Sequence, residues 1–193
     1  MKKQILIGVL AAFAATPALA ALKTGDAAPD FSAPASLAGK QFTFKLAEAL
    51  KKGPAVVYFY PSAYTKGCDI QAHAFATNAD KFAAAGSSII GVSADSIQRL
   101  NQFSADPAYC AGKFPVASDH DHKVAAAYDL AVGAAREGAK DVRGEEIGHA
   151  FIERVTYVID RKGKVVATLS SKTDNLSPEE HVEKSLQIVQ AMK

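Results

Sequence analysis

The chain has 193 residues, with 22 Lys or Arg against 20 Asp or Glu, so its formal net charge is +2 at pH 7. Hydrophobic residues make up 49% of it, a share typical of globular proteins, and no segment has the composition expected of disorder. Because the charge is nearly balanced, neither nucleic-acid binding nor a stable membrane association is predicted.

The first twenty residues have the three parts of a secretory signal peptide. Residues 2–3 are both Lys, residues 5–15 are apolar, and Ala18-Leu19-Ala20 is a small-x-small cleavage site. The apolar run is too short for a transmembrane anchor. The sequence therefore predicts export to a bacterial periplasm and a mature chain of residues 21–193 that forms one domain.

The mature chain alternates between apolar runs of strand length and helical patterns. Strands are predicted at residues 41–44, 55–60, 88–93, 114–117, 150–160 and 164–170, and helices at 46–51, 68–85, 96–104, 123–128 and from Pro178 onward. Residues 22–34 are predicted to be irregular, and residues 132–148 to be a surface loop. This order predicts an α/β, thioredoxin-like fold, a central mixed sheet with helices on both faces.

The stretch with the clearest chemical signal is 58–68, where an apolar strand stops at Pro61 and a polar turn leads to a helix at Cys68. The free N–H groups and the dipole of a helix N-terminus favour an anion, so a cysteine there ionises more readily. Thr65 is close enough in sequence for its hydroxyl to face the sulfur, and Lys66 adds positive charge. A lone cysteine is usually a small buried hydrophobe, but its place beside a proline turn favours a reactive thiol.

Pro61, Thr65 and Cys68 match the Pro-x-x-x-Thr-x-x-Cys motif of peroxiredoxins of the AhpC/TSA superfamily, and residues 58–71 resemble the bacterioferritin-comigratory (Q-type) branch. The resemblance implies a thioredoxin-dependent peroxidase that reduces hydrogen peroxide and small organic hydroperoxides in antioxidant defence. It implies that Cys68 attacks the peroxide and becomes a sulfenic acid. Thr65 and the N–H groups of Gly67 and Cys68 would then contact the peroxide, and Pro61 would shield the sulfur. No cofactor is implied.

The resemblance also implies a catalytic arginine. The family places it before a Thr-aromatic-Val-Ile-Asp strand, which is residues 156–160 here, so Arg154 is expected to keep Cys68 ionised and bind the peroxide. Without the resemblance, Arg154 is an ordinary arginine at a strand end, and nothing distinguishes it from Arg99 or Arg143.

Cys110 is the second thiol of the chain and the expected resolving cysteine. Many Q-type enzymes carry that cysteine five residues after the first, but His73 stands there. A Cys68–Cys110 disulfide would require local unwinding to bring the two Cα atoms within roughly 7 Å. Without it, one cysteine and an external thiol would suffice, and a structural disulfide is a further alternative. The expected reductant is a thioredoxin-like protein or another thiol, and the expected state is a monomer or weak homodimer.

Two other functions use the same fold and the same thiol. A thioredoxin-like disulfide oxidoreductase requires Cys-x-x-Cys, whereas Cys68 is followed by three residues without a thiol. A copper-delivery protein requires two close cysteines and a histidine. His120 and His122 suggest zinc, but a zinc site needs more ligands, so a capped helix start is predicted there instead.

Overall fold

A computed structural model describes residues 21–192, so the predicted signal peptide lies outside the described residues. The strands are β1 (Ser32–Leu37), β2 (Lys40–Lys45), β3 (Ala55–Phe59), β4 (Ser88–Ser93), β5 (Val116–Ser118), β6 (Val132–Gly133), β7 (Phe151–Ile152), β8 (Val155–Ile159) and β9 (Val165–Ser170). The helices are α1 (Leu46–Lys52), α2 (Lys66–Ala84), α3 (Ile97–Ala105), α4 (Lys123–Ala127) and α5 (Pro178–Ala191). None of these helices is long and apolar enough to cross a bilayer.

Seven strands form one mixed sheet in the order β2-β1-β5-β4-β3-β8-β9, and β6 pairs with β7 separately. The interior strand β3 is parallel to β4 and antiparallel to β8. All five residues of β3 are buried, as expected for a strand covered on both faces. Its carboxyl end therefore delivers the following turn to a position fixed by two neighbouring strands.

Side chains of β3 alternate between two hydrophobic clusters, one on each face of the sheet. Val57 and Phe59 join a cluster that includes residues of α1 and α4. Tyr58 joins a cluster that includes residues of α2, α3 and α5, together with both cysteines. The predicted architecture, a mixed sheet with helices on both faces, is confirmed.

Three local predictions were wrong. Residues 32–37 form a strand, β1, whose small side chains hide the alternation of burial from the sequence. The predicted strand 150–160 is interrupted at 153–154, between β7 and β8. Residues 132–148 are more than a surface loop, because Asp141 and Ile147 in this segment are buried.

Candidate active site

A strand, a turn and a helix place Cys68. The helix α2 begins at Lys66, two residues before the predicted start, so Cys68 lies inside its first turn and is 2% exposed. The Cys68 N–H donates to the carbonyl oxygen of Thr65 at 2.8 Å. The Gly67 N–H makes no hydrogen bond within residues 21–192, so it remains free to donate to a ligand at the helix N-terminus.

The guanidinium of Arg154 lies beside the sulfur. Its Nη2 donates to Cys68 Sγ at 3.2 Å, and its Nη1 donates to Oε1 of the fully buried Gln71. The sheet produces this contact, because Phe59 pairs with Val155 and so brings the β7–β8 break beside the turn that follows β3. A charged donor at this distance gives the sulfur a charge-assisted hydrogen bond.

Gln71 is a site residue that the sequence analysis missed. It lies three residues after Cys68 and therefore on the same face of α2, which is the signal that could have found it. Its Oε1 accepts from Nη1 while the sulfur accepts from Nη2, so Gln71 orients Arg154.

The turn residues Pro61 and Thr65 are both half-buried. The Thr65 hydroxyl donates to the carbonyl oxygen of Ser62 at 2.8 Å, which leaves its oxygen free to accept. The contact of this hydroxyl with the sulfur therefore stays a prediction. Lys66 is exposed.

The two arginines that the sequence alone did not separate from Arg154 lie elsewhere. Arg99 Nη2 donates to Asp141 Oδ2 at 2.7 Å, and the Arg143 guanidinium stacks on the Tyr64 ring, 3.4 Å from its centroid. Both are engaged with the 141–145 region and the turn, so neither replaces Arg154 at the sulfur.

Residues 24–168 match the profile of the AhpC/TSA family. The chain belongs to this family. Peroxiredoxin Bcp of Escherichia coli K12 is 32% identical to it over 144 residues, which are 75% of this chain and 83% of that protein.

Two solved structures of similar proteins confirm the thioredoxin-like fold. Peroxidoxin BcpB from Mycobacterium tuberculosis is 29% identical with a TM-score of 0.72, over 89% of this chain and 99% of that one. The bacterioferritin comigratory protein of Xanthomonas campestris, described for its alkyl peroxide reduction activity, is 28% identical with a TM-score of 0.63, over 82% and 90%.

The second thiol of this AhpC/TSA chain, Cys110, lies in the turns between α3 and β5 and is fully buried. Both cysteines are free thiols. Burial raises the pKa of Cys110 well above its usual value, and the carboxylates of Asp106 and Asp69 raise it further. In this conformation Cys110 is therefore a protonated thiol and a poor nucleophile.

The segment that carries Cys110 contacts the segments on either side of Cys68. The Tyr64 and Tyr109 rings meet edge to face, with centroids 5.4 Å apart. The His73 Nδ1 lies 3.1 Å from the carbonyl oxygen of Ala108. His73 occupies the position at which many Q-type enzymes carry a resolving cysteine, and here it contacts the loop that carries Cys110.

A buried histidine lies close enough to Arg154 to be affected by its charge. His181 Nδ1 hydrogen-bonds with Thr156 Oγ1 at 3.0 Å, and its Nε2 with Ser171 Oγ at 2.9 Å. Burial and then the charge of Arg154 lower the pKa of His181 to about 4. This histidine is therefore neutral near pH 7 and does not repel the guanidinium that faces Cys68.

No three His, Cys, Asp or Glu side chains are grouped to bind a metal ion within the part of the chain that the structure describes. The start of α4 beyond His120 and His122 is capped by Asp119, which accepts from the N–H groups of Val124 and Ala125 at 2.9 and 2.8 Å.

Proposed function

We propose that the chain is a thiol-dependent peroxidase of the bacterioferritin-comigratory branch, with Cys68 as the residue that attacks hydrogen peroxide or a small organic hydroperoxide. One observation carries this proposal: the Arg154 guanidinium lies 3.2 Å from Cys68 Sγ at the start of a helix. Membership of the AhpC/TSA family and likeness to named peroxiredoxins support it.

The first step is a displacement at oxygen. The Cys68 thiolate forms an S–O bond, the O–O bond breaks, and the second oxygen leaves as hydroxide or alkoxide and takes up a proton. Arg154 stabilises the thiolate and then the charge on the leaving oxygen, and the Gly67 N–H adds a donor. Thr65, whose proton is donated to Ser62, accepts from the peroxide O–H.

The second step converts the sulfenic acid of Cys68 into a disulfide. The Cys110 sulfur attacks the Cys68 sulfur and water leaves. Because Cys110 is buried and protonated, the Tyr64–Tyr109 and His73–Ala108 contacts must open first. A thioredoxin-like protein or another thiol then supplies the two electrons that reduce the disulfide.

The alternatives from the sequence gain no support. A copper-delivery site would need a ligand group that residues 21–192 do not form. A disulfide oxidoreductase would need a second thiol near the start of α2, and the residues after Cys68 provide none.

The proposal includes export of the chain to a periplasm and action there as a monomer or weak homodimer. The three-part leader in residues 1–20 supports the export. Expression of the full chain in a Gram-negative bacterium, followed by osmotic-shock fractionation and intact mass, tests it. A periplasmic product that begins at Ala21 is expected, and a cytoplasmic uncleaved chain would overturn this part. Sedimentation velocity of that product tests the assembly state.

The peroxidase proposal is tested by intact mass after one equivalent of hydrogen peroxide is added to reduced protein. The wild type should lose two hydrogen atoms, Cys110→Ser should gain one oxygen atom, and Cys68→Ser should be unchanged. Gain of oxygen in both the wild type and Cys110→Ser would refute only the resolving role of Cys110 and would leave the peroxidase in place. No rapid change in either would refute the peroxidase.

A further inference from the structure

The turn that precedes Cys68 is held in place by hydrogen bonds with other segments. Tyr64 has a φ of 59°, in the left-handed region that a bulky residue rarely adopts. The Ala63 N–H donates to Asp95 Oδ2 at 2.7 Å, and the Ala63 carbonyl accepts from Arg99 Nη2 at 2.9 Å. The Tyr64 carbonyl accepts from the Val142 N–H at 2.9 Å. The shape of the turn therefore depends on these partners.

Asp95 is the centre of these contacts. Its carboxylate is fully buried and accepts from Ser62 Oγ at 2.9 Å and Ser93 Oγ at 2.7 Å, besides the Ala63 N–H. Arg99 Nε lies 3.0 Å from Oδ1. A buried carboxylate of this kind is stable only with opposite charge and several donors around it.

His149 supplies a second cation to this carboxylate. Its Nε2 lies 2.9 Å from Asp95 Oδ1, and its Nδ1 lies 2.8 Å from the carbonyl oxygen of Ala150. Both partners are acceptors that carry no proton, so both ring nitrogens must donate, and only the imidazolium does so. The side chain is 12% exposed, which limits competition from water.

We infer that His149 is a positioning residue of the peroxidatic site. Its imidazolium forms an ion pair with Asp95 that holds the 141–149 segment at this carboxylate and so fixes the turn at Ser62–Tyr64. That segment also supplies Asp141 to Arg99 and the Val142 N–H to Tyr64. His149 touches neither Cys68 nor Arg154, so its effect passes through the turn. The inference rests on the proposed role of Cys68.

Loss of the His149 proton removes one charge and one of its two hydrogen bonds. The groups that face His149 are Asp95, Arg99, Ser62 and the Phe151 ring, whose centroid is 6.0 Å away. Burial lowers the pKa of His149, but Asp95 and the Ala150 carbonyl raise it more, against a small opposing effect of Arg99, so the net pKa is raised. The His149–Asp95 ion pair is therefore intact near pH 6 and is lost as pH rises through that raised pKa.

The test compares rate constants for oxidation of Cys68 by hydrogen peroxide between pH 6 and 9. In the wild type, the His149–Asp95 ion pair is lost across this range, so the rate constant should fall as pH rises. His149→Gln, which keeps a donor to Asp95 without the charge, should react several-fold more slowly at pH 6 and lack this alkaline loss. His149→Lys, which keeps a charge, should retain the rate to pH 9. His120→Gln, a change to an exposed histidine whose ring contacts the carbonyl oxygen of Ala94, next to Asp95 in the chain, should match the wild type.

A second measurement needs no variant that could misfold. In NMR titrations of the wild type, the His149 ring and the Tyr64 amide should change with one common midpoint above the usual histidine value of about 6.5. A Tyr64 amide that ignores the His149 midpoint, or a His149→Gln pH profile equal to the wild type, would overturn the inference. If wild-type Cys68 does not react at all, the proposed function fails instead.

Discussion

The two thiols are almost equally buried, Cys68 at 2% and Cys110 at 0% exposed, yet their surroundings are opposite. Cys68 lies in the first turn of α2 with a guanidinium 3.2 Å from its sulfur. Cys110 lies in a turn segment where burial, Asp106 and Asp69 all raise its pKa. Burial alone therefore does not separate the two thiols, whereas the charge beside each sulfur does, and the proposed roles follow that charge.

The difference orders the two steps of the proposed reaction. In that proposal, Cys68 attacks the peroxide from this conformation, whereas Cys110 first leaves its apolar and acidic surroundings. Removal of the charge beside Cys68 should therefore make its reactivity more like that of Cys110, and changes to the groups that hold this charge should have smaller effects.

Removal of the cation should have the largest effect. Arg154→Met takes away the guanidinium that stabilises the thiolate and the leaving oxygen, so the rate constant for hydrogen peroxide should fall by about 10²- to 10³-fold. Stopped-flow oxidation of the reduced protein measures it. Arg161→Met, which removes an exposed arginine at the β8–β9 turn, should leave the rate unchanged. A loss below threefold in Arg154→Met would contradict the assigned role.

Loss of the group that orients the cation should have a smaller effect. Gln71→Leu keeps the volume of the buried side chain but removes the acceptor for Arg154 Nη1. A hydrogen bond to a charged group is worth about 1.5–3 kcal/mol, so a decrease of about tenfold in the same rate constant is expected. Gln71→Glu should lose less, because it keeps the acceptor. A larger loss in the Glu variant than in the Leu variant would show that charge near the sulfur matters more than orientation.

Cys68 and the elements around it could be predicted from the sequence because their signals are local. Apolar runs of strand length end at Pro61, and a helical pattern follows. The pairing of Phe59 with Val155 is not local, so the residues alone did not distinguish Arg154, 86 positions from Cys68, from Arg99 or Arg143. The family resemblance supplied that residue.

Side chains whose function depends on a distant partner gave no sequence signal. His149 directly follows residues 132–148, whose composition indicates a surface loop, and its partner Asp95 is 54 residues away. His181 is one polar residue on an amphipathic helix, and only its hydrogen bond with Thr156 and the nearby charge of Arg154 give it a role. In each case burial of a polar group decides the role, and periodicity does not report which polar groups will be buried.

A methyl group between α2 and Arg154 tests how accurately the cation must be placed. A Cβ at Gly67 would lie 3.3 Å from Arg154 Nη2, so the guanidinium would have to move by a few tenths of an ångström. Because a displacement of about 1 Å can cost 10²-fold, Gly67→Ala should slow the reaction several-fold. Its melting temperature should not fall, because Ala in a helix is about 1 kcal/mol more favourable than Gly. An unchanged rate would mean that the site tolerates this shift.

The smallest expected effect concerns stability, at the residue next to Cys68. Asp69 is buried, and its Oδ1 has no hydrogen-bond partner within the described residues. Burial raises the pKa of Asp69 to about 6, with Asp141 and Asp106 adding to the rise and the Tyr64 N–H and Arg143 opposing it. In the unfolded chain its pKa is about 3.9, so the folded state binds more protons between pH 4 and 6. Stability contributed by this group is therefore present at pH 4 and lost as pH rises to 6 and above.

Asp69→Asn removes the ionisation and should raise the free energy of unfolding by about 1 kcal/mol at pH 8, a value reduced for partial screening by solvent, with little effect at pH 4. Urea unfolding at the two pH values measures the difference. Asp80→Asn, on the same helix but exposed, should show no such pH dependence. An equal gain at both pH values would locate the effect in packing and not in charge. A gain confined to pH 8 would mean that ionised Asp69 destabilises the first turn of α2, which the proposed Cys68–Cys110 disulfide would unwind.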